Sequence, residues 1–119
     1  MKMRQGEIHL VWDGSAATPR PVAVVSATPL NRGRYVLAVP STSAQLAERR
    51  RSPTCEPFDA GSFGLDQAPV AEADALTQLG ISDLAAPFEP IGTLDDEALR
   101  LVIRAIGHAI AADCSPASA

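Results

Sequence analysis

The sequence predicts an α+β domain: a small antiparallel β-barrel with one helix at its C-terminal end. Two valine-rich runs, Val22-Ala23-Val24-Val25-Ser26 and Tyr35-Val36-Leu37-Ala38-Val39, lie a few residues apart, as consecutive strands joined by a short connection do. Strand-like segments come first and the one strong helical pattern comes last, without the alternation of a parallel βαβ sheet. With 119 residues the chain has room for one modest core and not for two, so residues 1–113 are read as one domain and 114–119 as a disordered tail.

Ile8, Leu10 and Trp12 alternate with His9 and Val11, which predicts a first strand with one buried face and His9 turned away from it. Residues 13–19 form a turn or short loop. The second strand spans 21–27, a break at 29–33 follows, and the third strand spans 34–39 before Pro40-Ser41-Thr42-Ser43. Residues 44–51 have helical propensity between breakers and read as a loop or a single helical turn. Pro53 and Pro57 confine a strand at 53–59 to an edge or an irregular path. Residues 61–64 turn the chain, 70–79 read as one strand despite their alanines, and 88–92 as a short last strand. The helix is the clearest element. Asp95 or Thr93 caps it, Asp95, Asp96 and Glu97 complement its dipole, and Leu99, Val102, Ile103, Ile106 and Ile110 form one apolar stripe.

Composition narrows the function classes. Hydrophobic residues make up 46% of the chain and aromatic ones only 4%, so the core is aliphatic. No apolar run approaches membrane-spanning length and the first residues are polar, which predicts a cytoplasmic protein with no membrane partner. Cys55 and Cys114 match no metal-site spacing and read as reduced thiols, and no metal or cofactor is expected. The net charge of −4 hides an asymmetry: residues 1–51 hold eight Lys and Arg against three acids, +5, and the rest two against eleven, −9. Such a split either gives a local positive field for a polyanion or vanishes when the halves interleave.

Arg20, before Pro21 at the start of a strand, offers a planar, permanently charged fork that matches two phosphate oxygens; an ordinary surface arginine fits the same pattern. Thr42, with Ser41 and Ser43, makes a hydroxyl cluster at a strand end, where a plain turn also fits. Arg49, Arg50 and Arg51 follow closely, either as phosphate contacts or as a solvated run. His9 and Glu7 have the titration range that proton transfer wants, but His9 is better read as a solvated or interface residue and His108 as a helix-surface one. Trp12 and Phe58 could stack a base, yet each is more simply core.

Five segments in order, Gly6-Glu7-Ile8-His9-Leu10-Val11, Arg20-Pro21-Val22-Ala23-Val24-Val25-Ser26, Val39-Pro40-Ser41-Thr42-Ser43, Gly64-Leu65 and Ile91-Gly92-Thr93-Leu94-Asp95-Asp96-Glu97-Ala98-Leu99, resemble the MazF/PemK toxin family over nearly the whole chain. The resemblance implies an SH3-like barrel of the CcdB/PemK kind closed by a C-terminal helix, and a two-fold homodimer. It further implies the toxin of a type II toxin–antitoxin system, a metal-independent endoribonuclease (mRNA interferase) that cleaves single-stranded RNA and is neutralised by a cognate antitoxin. Arg20 and Thr42 match the family's catalytic arginine and threonine. Ser41, Ser43, Arg34, Arg49, Arg50 and Arg51 are the RNA-binding residues that the likeness suggests. One departure stands out: the family's longer Gly- and Glu-containing loop after the first strand is cut to residues 13–19, with Asp13 its only acid. The competing reading is a non-catalytic binding protein of the same fold, either a gyrase poison, against which the ending Cys114-Ser115-Pro116-Ala117-Ser118-Ala119 weighs, or a degenerate member that binds only an antitoxin.

Overall fold

The computed structural model describes residues 2–12, 18–59, 62–65 and 70–111. Seven short strands and two α-helices follow in the order β1 (Glu7–Val11), β2 (Arg20–Val24), β3 (Tyr35–Thr42), α1 (Leu46–Arg49), β4 (Cys55–Pro57), β5 (Val70–Glu72), β6 (Thr77–Gly80), β7 (Gly92–Thr93) and α2 (Asp96–Ile110). Every pairing is antiparallel, in the spatial order β4-β5-β3-β2-β1-β7, with β6 also on β3. Cys114, the tail, residues 13–17 with Asp13, and Gly61 lie outside the described residues. None of the described helices is long and apolar enough to cross a membrane.

The sheet curls into a half-barrel, with a single bridge from Val11 to Leu84 bringing the segment after β6 back to β1. Inside the curl pack Met3, Val11, Val22, Val24, Val36, Ala38, Leu79 and Leu84. The opposite face of the same strands, with Ile8, Ala23, Val25 and Val39, packs on Ala71, Leu94, Ala98 and Val102 under α2. Val24, Val39, Val70 and Val102 are wholly covered, and each such side chain contributes about 1.5–3 kcal/mol over an exposed one.

This two-sided burial overturns the one-faced reading of the first strand. His9 is 1% exposed rather than solvated, its Nε2 lies 3.1 Å from Glu7 Oε1, and its buried Nδ1 has no hydrogen-bond partner among the described residues. Trp12, past the end of β1, is 51% exposed rather than core. Alternation fails here because both faces of β1 are covered.

The strand expected at 70–79 is two strands. Ser41 pairs with Ala71 but Ala38 with Thr77, so three residues of β3 face six of the partner, and the three extra are taken up by a 3-10 turn at Ala73–Ala75. Pro40, which has no N–H to give a ladder, falls on β3 in the interval between the two pairings. The strand expected at 53–59 shrinks to Cys55–Pro57, and the last one moves to Gly92–Thr93.

Helix α2 starts as its sequence dictates, with Asp95 Oδ1 accepting from the Ala98 N–H at 2.8 Å. It sits turned slightly from the expected stripe. Ala98, Val102 and Ala105 are buried, Leu99 and Ile106 flank them, and Ile103 and Ile110 are exposed. Small alanines let the axis approach the sheet, so the contact line follows them rather than the isoleucines. A second close approach pins the other side of the groove described below. A Cβ on Gly92 would overlap the Phe63 carbonyl, and one on Gly64, at φ +83°, would meet the Ile91 carbonyl oxygen at 2.5 Å.

Candidate active site

Register assembles the site. Val22 pairs with Pro40 and Val24 with Ala38; extending that register by two residues brings Arg20 level with Thr42, on strands that run about 4.8 Å apart. On the other side of β3, Ser41 and Thr42 pair with Ala71 and Val70, which makes Glu72 the next residue of β5. The start of β2 and the end of β3 therefore meet beside the start of β5 at one edge of the curled sheet, and Glu72 stands two residues back, level with Pro40.

Arg20, Ser41, Thr42 and Ser43 line one groove of about 690 Å³, walled by Leu10, Thr18, Pro19, Pro21, Gly64, Leu65 and Ile91. Ser41 is buried, Thr42 half-buried and Ser43 exposed. The Thr42 hydroxyl oxygen accepts from the Ala44 N–H at 3.1 Å, which turns the chain out of β3 and leaves its O–H free to donate. Arg20 also borders a second groove of about 630 Å³, with the exposed Trp12 and with Thr77, Gln78 and Asp83. The arginine thus borders two clefts, where a permanently charged fork can meet an anion approaching from either side.

The other arginines separate. Arg49 closes α1 and turns inward, its Nη1 3.1 Å from Glu72 Oε1 and its Nε buried without a hydrogen-bond partner among the described residues. The same Glu72 oxygen lies 3.9 Å from Arg20 Nη2. Arg50 lines a different pocket, with Glu56, Asp59 and the start of α2. Burial raises the Glu56 carboxyl above its ordinary value, and the Arg104 charge opposes that in part. Arg51 is exposed. Arg34, just before β3, is at the strand's far end from Thr42, roughly 25 Å away at about 3.3 Å per residue, and the structure does not bring it to the groove. Phe58 is half-buried and packs edge-on against Phe63, with centroids 5.5 Å apart. His108 is exposed on α2, and Cys55 is a buried free thiol. No group of three or more His, Cys, Asp and Glu suited to a metal occurs among the described residues.

Glu72 is the site residue that the sequence reading missed. The signal was available in principle, since it is a charged residue ending an apolar run, as Arg20 and Thr42 are polar residues at strand ends. Reading 70–79 as one strand placed it in the interior instead.

No protein-family model matches the sequence, and no curated protein matches it. Solved structures do. An endoribonuclease in complex with its cognate antitoxin from a mycobacterial species superposes with a TM-score of 0.74 at 22% identity, over 91% of this chain and 94% of that one. The Mycobacterium tuberculosis toxin MazF-mt6 gives 0.69 at 25% identity, over 87% and 94%. The MazE–MazF complex of Deinococcus radiodurans gives 0.66 at 19%, over 90% and 93%. The chain is therefore similar to MazF toxins over about nine-tenths of its length, and its curled antiparallel sheet with a C-terminal helix is the MazF-like fold.

Proposed function

We propose that this chain is the toxin of a toxin–antitoxin pair, an endoribonuclease that cleaves single-stranded RNA in the cytoplasm without a metal ion. The observation that carries the reading is the meeting of Arg20 with the Ser41-Thr42-Ser43 hydroxyls in one groove, on a fold whose solved counterparts include endoribonucleases. In the reaction, the ribose 2′-oxygen attacks the adjacent phosphorus as its proton leaves. The bond to the 5′-oxygen breaks, and that oxygen takes up a proton, giving a 2′,3′-cyclic phosphate and a 5′-hydroxyl. Negative charge builds on the phosphoryl oxygens in the transition state. The Arg20 fork and the Thr42 O–H are the donors placed to meet it.

The partners proposed are single-stranded RNA, a cognate antitoxin and a second copy of the chain. Two of the solved counterparts carry an antitoxin, and an acidic extended segment is the partner that would compete with RNA for Arg20. A two-fold dimer would supply the opposite wall of an open groove. Incubating the purified protein with a long RNA in EDTA and mapping the new ends tests the reaction. Cleavage with 5′-hydroxyl ends is expected. An absolute need for Mg²⁺ or Zn²⁺ would replace this chemistry with metal-assisted hydrolysis. Light scattering at micromolar concentration tests the dimer.

A further inference from the structure

We infer that Glu72 is a positioning residue that orients Arg20 for the scissile phosphate, and that Arg49 acts through Glu72 rather than on RNA; the inference rests on the endoribonuclease reading. One carboxylate oxygen is shared unequally between two guanidinium groups. At 3.1 Å, Arg49 makes a charge-assisted contact; at 3.9 Å, Arg20 lies within the carboxylate's field but beyond hydrogen-bond length. The Glu72 side chain is 14% exposed and Arg49's is 25%, against 36% for Arg20. The buried Nε of Arg49 places that guanidinium's stem in the protein rather than on the groove. Arg49 offsets part of the Glu72 charge, and the remaining field of the carboxylate, 3.9 Å from Arg20 Nη2, favours one orientation of the Arg20 fork.

Glu72 is well placed for this task. It lines neither groove beside Arg20, so it does not reach the reacting atoms. It is also one residue beyond the Ser41–Ala71 pair, so the strand that carries it is the strand that flanks the hydroxyls. The contact with Arg49 ties α1, four residues past Thr42, to the same point. A guanidinium that can swing must be ordered again at each turnover, and small misplacements at a phosphoryl centre are costly in rate.

The test uses Glu72→Gln, Arg49→Ala and the double variant, with thermal unfolding as the check on folding. Single-turnover cleavage should slow by about 10- to 100-fold in each single variant, with KM within about twofold, and the double variant should be no slower than the worse single. The pH–rate profile of Glu72→Gln should keep its shape, and losing its acidic limb would make Glu72 a general base and overturn the assignment. Binding of an uncleavable 2′-deoxy oligonucleotide is read against salt. The slope should be unchanged in Arg49→Ala, whereas a fall of about one would place Arg49 on a phosphate. The two readings fail separately. A wild-type protein that cleaves no RNA, with Glu72 and Arg49 still coupled in an unfolding double-mutant cycle, sinks the endoribonuclease reading. An active wild-type protein whose variants cleave like it sinks this inference alone.

Discussion

Arg20 and Arg34 look alike in the sequence, each an arginine opening a valine-rich run, yet they stand at opposite ends of the sheet. Antiparallel strands alternate in direction, so the start of β2 meets the end of β3, and the start of β3 is as far from Thr42 as the strand allows. The two ends have different surroundings. Around Arg20 are hydroxyls, Glu72 and Arg49; around the Tyr35 end are exposed Leu30, Tyr35 and Leu37. The position of a strand end in the ladder, more than its local sequence, decides what chemistry it can join.

The largest effect expected from this contrast is on catalysis. Arg20→Ala should slow RNA cleavage by about 10²- to 10³-fold with the melting temperature nearly unchanged, and Arg34→Ala, assayed beside it, should stay within about twofold. Equal losses would mean that the two ends share one RNA site. Thr42→Ala should follow Arg20→Ala closely, and Thr42→Ser should recover most of the rate, because serine keeps both the acceptor for the Ala44 N–H and the free O–H; a serine variant as slow as alanine would make the methyl group, not the hydroxyl, the part that matters.

Away from the groove the effects turn to stability. Asp95→Ala removes the cap of α2 and should cost about 1 kcal/mol, seen calorimetrically as a melting point lowered by about 4 °C, with the cleavage rate per folded molecule unchanged. The smallest effect belongs to Glu56. Burial holds its folded-state pKa above the ordinary value, so its ionised form opposes folding. That cost is present above the folded pKa and is relieved as the pH falls through it. Glu56→Gln should therefore raise the melting temperature slightly at pH 7, and the gain should shrink as the pH approaches 4.

The sequence made the first three strands and α2 legible because valine runs, breakers and a capped apolar stripe are strong local signals. Arg20 and the hydroxyls at 41–43 were legible as strand ends, and their meeting follows from antiparallel order alone. What stayed hidden depended on the far side of each element. His9 was misplaced because a strand covered on both faces has no outward side, and Ile103 and Ile110 because alanines, not isoleucines, set the helix contact. Glu72 was hidden because residues 70–79 contain no glycine or proline to mark the turn that divides them.

The crossing of Gly64 and Gly92 has a consequence for how such a groove can diversify. Two main chains touch there with no side chain between them, so the wall that Gly64, Leu65 and Ile91 build is located by backbone geometry. Substitutions before and after the crossing can reshape the surface that meets a guest molecule, while the seat for its charged centre keeps its place. Gly64 and Gly92 thus hold the groove wall in place, and neither tolerates a Cβ without a shift of main chain, although neither contributes a functional group.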